Sequence, residues 1–517
     1  MRRILFIIFL FTVFYSQAQI RVTADRPTAT YQAGETMNFE VVADAWGPID
    51  YFIRYDSKTP ILARGRIFAN PGSPTRIPFT LEEPGGVICI IQNSSTSASA
   101  GAIFSPYDLQ PFNEEPADFD AFWDGVKAEL AAVPMDPVLT PHSSTALSET
   151  FRINLGNINN RRVYGYISIP KGIQGPFPAI LSMPAFGDIA NIVNPEPVIA
   201  EWGGAILMTI SIHNAEPDEI DPNAYLPNDI TDRDGVYFKN AIAAGIRSID
   251  YLYSRPDFNG EDLGVIGLSQ GGGLALMTAG VDDRVKTLVQ TVSALCGHAG
   301  HRYNKASGLP FYIQFSRAID GFIDHENATI DATAYYDGIY FAKRFKGPSL
   351  TFISYADTIS PATTVFTAYN QLQGNNILMH SKDLGHDNPE EFWTMRFEFW
   401  RRHFPAMLNA PFQWSLTTTG YGVDVGDDIS IPTGGTANLS ATLEYNGAPL
   451  NNLIANWILV DGPGRVSFSN VDSYNTTATF TEDGEYLIRF IGRDESTLDS
   501  EGEFYTIGDF VKVTVGN

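Results

Sequence analysis

The run Gly267-Leu268-Ser269-Gln270-Gly271 fits the pattern G-x-S-x-G. A serine hydroxyl is a poor nucleophile at neutral pH, so it carries chemistry only beside a base that takes its proton. That base in turn needs an acid to hold it in the right tautomer. Alone the pattern is weak, because glycine and serine are common. The setting sharpens it. Leu263 to Leu268 reads as a short buried strand and Gly272 to Ala279 as a helix of small residues, together the strand-turn-helix of a nucleophile elbow. Such a turn strains the serine backbone, and a side chain at either flanking glycine would strike the neighbouring strand or helix. The helix that follows points its positive end at the site. The bland alternative is a glycine-rich turn with no chemistry.

An acid and then a histidine should follow the serine in chain order. Asp357 comes directly after the strand-like run Ser349 to Tyr355, at what would be its C-terminal edge. His386 lies in a loop after a further strand, Ile377 to His380. In this trio His386 takes the Ser269 proton, while Asp357 orients the ring and stabilises the imidazolium. Asp383 and Asp387 are alternative acids but stand too near His386 in sequence. Of the other histidines, His142 and His325 sit in polar stretches read as loops, His380 in a strand and His403 on a C-terminal helix beside Arg401-Arg402. His213 ends a strand near the expected site edge. His298 and His301 follow the strand after the elbow helix, but no third ligand recommends them as a metal pair. No metal and no cofactor is expected. An oxyanion hole needs two backbone N–H groups. One falls to Gln270, the residue after the nucleophile. The other falls to the loop Pro184-Ala185-Phe186-Gly187; Pro184 has no N–H, so Phe186 is the candidate, with Ala185 second.

The elements that must position these residues fall into three stretches. Residues 20 to about 107 are short strands between turn residues; Met37, Phe39 and Val41 alternate onto one face and Val87 to Ile91 is continuously apolar, the pattern of a β-sandwich. From about Pro111 the texture changes. Phe119, Phe122, Trp123, Val126 and Leu130 predict an amphipathic helix over Asp118 to Ala132. Strands (Val163 to Ile169, Phe177 to Met183, Ala205 to Ile212, Val285 to Val292) then alternate with helical stretches such as Val236 to Ser254. That alternation means a mostly parallel sheet covered on both faces. After Pro411 the chain reads as β again, with a tyrosine-corner-like Asp483-Gly484-Glu485-Tyr486. The expected division is a signal peptide at 1–18, a β-sandwich module at 19–107, a catalytic α/β domain at 108–408 and an immunoglobulin-like β-sandwich at 411–517. The modules read as spacers, although Tyr51 or Tyr421 would suit stacking on sugars.

Several function classes are excluded by composition. The chain has 517 residues, 44% of them hydrophobic, so disorder throughout is ruled out. Its 34 Lys+Arg against 59 Asp+Glu leave a net charge of −25, which repels nucleic acid and anionic membranes. Two cysteines exclude a disulfide scaffold; Cys89 and Cys296 read as buried free thiols. Met1-Arg2-Arg3, the apolar run Ile4 to Tyr15 and Ser16-Gln17-Ala18 have the form of a signal peptide cleaved after Ala18. The apolar run is too short to span a bilayer, and no later stretch is long enough. A secreted or periplasmic location is expected.

The elbow Gly267-Leu268-Ser269-Gln270-Gly271-Gly272-Gly273 resembles that of the acetyl xylan esterase and cephalosporin C deacetylase family of carbohydrate esterases. So do Tyr335-Tyr336 through Phe341-Ala342, Asp357-Thr358-Ile359-Ser360-Pro361 and Val365 to Asn370, and Gly385-His386 closes the match. The resemblance covers roughly Pro111 to Pro405. It implies an α/β-hydrolase core with Ser269 as nucleophile, Asp357 as acid and His386 as base. Pro184-Ala185-Phe186 stands where the family usually carries His-Gly-Tyr, and its Arg-Gly-Gln-Gly motif is replaced by Ile212-His213-Asn214-Ala215. The expected substrate is an acetylated, xylan-like polysaccharide or oligosaccharide. Two alternatives stand beside it: a serine peptidase of the same fold, and a non-catalytic glycan-binding relic.

Overall fold

A computed structural model describes residues 19–26, 28–56, 60–186, 194–195, 197–219, 221, 223–225, 229–308, 323–407, 421–450, 454–464, 466–471, 473–498 and 504–516. The expected signal peptide and Gly187 lie outside these residues.

A nine-stranded sheet forms the centre. In chain order its strands are β1 (Val138–Ser144), β2 (Ser148–Gly156), β3 (Arg162–Pro170), β4 (Phe177–Met183), β5 (Ile206–Ile210), β6 (Phe258–Leu268), β7 (Thr287–Thr291), β8 (Ser349–Ser354) and β9 (Asn376–Ser381). Their order across the sheet is β9-β8-β7-β6-β4-β5-β3-β2-β1. Strands β4 to β9 pair in parallel and β1 to β3 add an antiparallel edge. This is a mostly parallel sheet, as the alternation of strands and helices predicts, with an antiparallel edge added. Parallel strands are covered on both faces, which explains the unbroken burial of β4, β7 and β8 apart from Ser182. The chain runs from β4 outward to β5, then returns to place β6 on the other side of β4. Such a reversal opens a crevice beyond the C-terminal ends of the strands, where α/β proteins bind ligands. Ser269 and the loop starting at Pro184 leave β6 and β4 at that point.

The helix Phe119–Ala131 buries Phe119, Phe122, Trp123, Val126 and Leu130, the stripe that the spacing predicts. The helix Phe238–Ser254 presses Gly245 against Thr278 of the elbow helix Gln270–Val281; a Cβ on Gly245 would stand 2.6 Å from the Thr278 hydroxyl. The antiparallel edge strands β1 and β2 were not anticipated. All of β1 is exposed, so it has no apolar alternation to read. His142 accordingly lies on strand β1, not in a loop, and His325 on the helix Ile323–Thr333.

Residues 20–104 form two sheets around one core. Strand Thr36–Ala43 alternates as expected, with Met37, Phe39 and Val41 inward. The same apolar cluster takes in Ile353, Tyr355, Ala362, Val365 and Phe366 of the central unit. At roughly 1.5–3 kcal/mol for each large apolar side chain buried, such a seam holds firmly, and residues 20–104 are more than a spacer. Tyr51, considered for sugar stacking, covers Gly65 of the neighbouring strand; the Tyr421 side chain lies outside the described residues. Residues 421–516 form three small sheets around a core with Trp457, Tyr486 and Phe490. The Tyr486 hydroxyl donates to the Glu482 carbonyl at 2.8 Å, the bond of a tyrosine corner. The almost fully buried Arg489 pairs with Glu398 at 3.4 Å, which ties this stretch to the helix Glu390–His403. Cys89 and Cys296 are both buried and free.

Candidate active site

Strand β6 ends at Leu268, and the elbow helix begins at Gln270. Between them Ser269 has φ 59 and ψ −122, a conformation strained for any residue with a side chain. Bonds on both sides over-determine it. Its N–H donates to the Thr291 carbonyl at 2.9 Å, and its carbonyl accepts from Ala294 at 2.9 Å and Gly273 at 3.2 Å. The glycines behave as the sequence predicts. A Cβ on Gly267 would stand 2.0 Å from the Gly271 carbonyl oxygen, and one on Gly271 would stand 2.3 Å from that of Met183 in β4.

Ser269, His386 and Asp357, distant in sequence, meet at the C-terminal rim of the sheet. The Ser269 hydroxyl and His386 Nε2 are 2.7 Å apart. His386 Nδ1 and Asp357 Oδ2 are also 2.7 Å apart. Asp357 is fully buried, and its other oxygen accepts from the backbone N–H groups of Ile359 at 2.7 Å and Ser360 at 2.9 Å. Its charge is thus hydrogen-bonded on both oxygens, as a buried carboxylate requires. The Nδ1 nitrogen of His386 faces an acceptor, so it carries the proton and leaves Nε2 free to accept from Ser269. An imidazole so placed can take the serine proton as the oxygen attacks a carbonyl. The loop carrying His386 is tied back by the Ser354 hydroxyl, which donates to the Leu384 carbonyl. Asp387 turns elsewhere, with one oxygen accepting from Asn388 N at 2.8 Å.

Four of the remaining histidines have partners outside this relay. His301 Nε2 pairs with Glu326 at 2.9 Å, and His298 Nδ1 lies 3.0 Å from the Thr333 carbonyl. His380 stacks on Tyr355 with ring centroids 4.9 Å apart. His213 belongs to an aromatic cluster at the site edge. Its Nδ1 is 2.6 Å from the Tyr237 hydroxyl and its ring meets Tyr225 edge-on at 4.7 Å. Burial pushes its imidazole down to about 4, so the ring is neutral at working pH.

Gln270 and Phe186, expected around an oxyanion, both touch Tyr225. Gln270 is buried at the start of the elbow helix; its side-chain amide donates to the Tyr225 hydroxyl at 3.1 Å. Phe186 follows β4, is 59% exposed and lies tilted against Tyr225, ring centroids 4.8 Å apart. Tyr225 thus joins the two oxyanion candidates, and it holds a strained φ of 61. Sequence reasoning missed it: it sits in an irregular stretch with no period, and only neighbouring His213 drew notice.

The family described as acetyl xylan esterase (AXE1) matches residues 106–404. The acetyl esterase Axe7A of Xylanibacter ruminicola is 30% identical over 363 residues, covering 66% of this chain and 80% of that protein. Two solved structures share the fold. An acetyl xylan esterase from Paenibacillus sp. R4 matches with TM-score 0.52 and 23% identity, covering 57% of this chain and 98% of that one. Acetyl xylan esterase 1 from Thermoanaerobacterium sp. JW/SL YS485 matches with TM-score 0.52 and 21% identity, covering 58% and 98%.

Proposed function

The chain belongs to the acetyl xylan esterase family and is a serine esterase of the carbohydrate-deacetylase type; we propose that it removes acetyl groups from a xylan-like polysaccharide through an acetyl-enzyme on Ser269. The observation that carries this reading is the unbroken relay from Ser269 through His386 to Asp357, with both links at 2.7 Å.

The Ser269 oxygen attacks the acetyl carbonyl while His386 Nε2 takes its proton. The N–H groups of Gln270 and Phe186 receive the negative oxygen of the tetrahedral intermediate. The imidazolium, stabilised by Asp357, then protonates the departing sugar oxygen as the C–O bond breaks, leaving acetyl-Ser269. Water attacks this ester with His386 again as base, and acetate leaves as Ser269 regains its proton. Metal assistance is not part of this route. The exposed ring of Phe186, on the loop expected to supply the second oxyanion N–H, would suit contact with the sugar that carries the acetyl group.

Residues 19–107 and 411–517 are best read as immunoglobulin-like modules flanking a catalytic domain at 108–408. The tyrosine corner at Tyr486 supports this for the second. Export is supported by the basic-apolar-small pattern of residues 1–18. Among the described residues no helix is long and apolar enough to cross a membrane.

The test is acetate release from acetylated xylan by the purified full-length protein and by Ser269→Ala. Release by the first and not the second supports the proposal. Equal release by both, or cleavage of dipeptidyl anilides without acetate release, overturns it.

A further inference from the structure

We propose that the N-terminal β-module is a working part of the active site, and that Asp56 within it is a positioning residue for Asp357; this rests on the Ser269-His386-Asp357 reading above. Three separate contacts place the module on the two loops that carry the acid and the base.

The first is a helix cap supplied from another part of the fold. The helix Ala362–Tyr369 starts five residues after Asp357, and its N-cap residue is Pro361, which has no side-chain acceptor. The first N–H groups of any helix need partners from outside it. Here Asp56 provides one: its Oδ2 accepts from Thr363 N at 2.6 Å. The Thr363 hydroxyl in turn accepts from Gly86 N at 2.7 Å, so module and helix are stitched in both directions. A side chain at residue 86 would destroy this fit, since its Cβ would stand 2.4 Å from Asp56 Oδ2. Asp56 is fully buried, and its Oδ1 has no hydrogen-bond partner.

The second contact lies on the other side of the acid. Strand Ser97–Phe104 of the module runs against the backbone just before Asp357. A Cβ on Gly101 would stand 2.1 Å from the Tyr355 carbonyl carbon, so only glycine permits this approach. The third contact reaches the base: Gly101 N donates to the Lys382 carbonyl at 2.9 Å, in the loop that leads to His386. The module therefore grips the chain before Asp357, after Asp357 and ahead of His386. Burial raises the Asp56 carboxyl to about 7, so a neutral acceptor in its place keeps the cap.

The experiment measures kcat and KM of the full chain on 4-nitrophenyl acetate, with kcat normalised to the folded fraction from circular dichroism and thermal melting. The variants are Asp56→Ala, Asp56→Asn and Gly101→Ala, with Ser269→Ala alongside. Misplacement of a catalytic group by about 1 Å costs on the order of 100-fold, so Asp56→Ala and Gly101→Ala should lose about ten- to a hundredfold in kcat. Acylation and deacylation use the same base, so KM should stay within about twofold. Asp56→Asn, which keeps an acceptor for Thr363 N, should recover most of the kcat. The inference is overturned if kcat per folded enzyme is unchanged in Asp56→Ala and Gly101→Ala, or if Asp56→Asn is as poor as Asp56→Ala. Should Asp56→Ala fail to fold, Gly101→Ala decides alone. Full activity in Ser269→Ala would instead sink the underlying triad reading, which separates the two failures.

Discussion

Replacing Asp357 by Asn keeps the size of the side chain and changes which atoms it offers. One carboxylate oxygen accepts from Ile359 N and Ser360 N, and the other faces His386 Nδ1. An amide has only one oxygen. If that oxygen stays on the two backbone N–H groups, the NH2 group faces Nδ1 and forces the proton onto Nε2, where it blocks acceptance from Ser269. If the amide flips to serve His386, two buried N–H groups lose their acceptor. Each costs about 1–3 kcal/mol, so the flip costs about 2–6 kcal/mol. At 1.36 kcal/mol per tenfold, the productive tautomer is populated about 30- to 26,000-fold less than in the native protein. Loss of the charge opposite the imidazolium adds to this. Asp357→Asn should therefore lower kcat on 4-nitrophenyl acetate by at least about 30-fold, while circular dichroism and melting show a folded protein. A folded Asp357→Asn enzyme with kcat within a few-fold of native would refute the reasoning.

Two further outcomes follow from the same geometry. Gly271→Ala should inactivate the enzyme and destabilise it by about 1–3 kcal/mol in thermal unfolding, because its Cβ meets the Met183 carbonyl at 2.3 Å. Gly385→Ala, next to His386, should keep activity within about twofold, because a Cβ there meets nothing within 4 Å; matching effects in the two variants would contradict this account. His213 is held neutral by burial, at about 4 against an ordinary 6.5. The unfolded chain takes up that proton first as pH falls, so the stability tied to the neutral ring is complete above 6.5 and drains away toward 4. Melting temperatures between those pH values should fall more steeply for the native protein than for His213→Asn, and parallel curves would rule this out.

The candidate trio was legible in the sequence because chain order and strand endings are local signals. Ser269 announces itself by flanking glycines, and Asp357 by standing where a buried strand stops. The central strands could be read from unbroken apolar runs, and the helix Phe119–Ala131 from its stripe. Strand β1 could not, since every residue in it is exposed. Nor could the role of Asp56, whose partner Thr363 lies 307 residues away in sequence. A lone aspartate after a strand and a lone glycine in one look ordinary until folding brings another backbone against them. Tyr225 was hidden for a similar reason: it touches Gln270 and Phe186, which only the fold makes its neighbours.

The most direct test of the central proposal is to catch the acyl group on the enzyme. The protein is mixed with 4-nitrophenyl acetate, quenched in acid within one turnover, digested and examined by mass spectrometry. The account predicts one added acetyl group on the peptide containing Ser269, accumulating in Asp357→Asn if deacylation slows more than acylation, and absent in Ser269→Ala. An acetyl group found on a different residue at the rate of turnover, or undiminished turnover by Ser269→Ala, would contradict it.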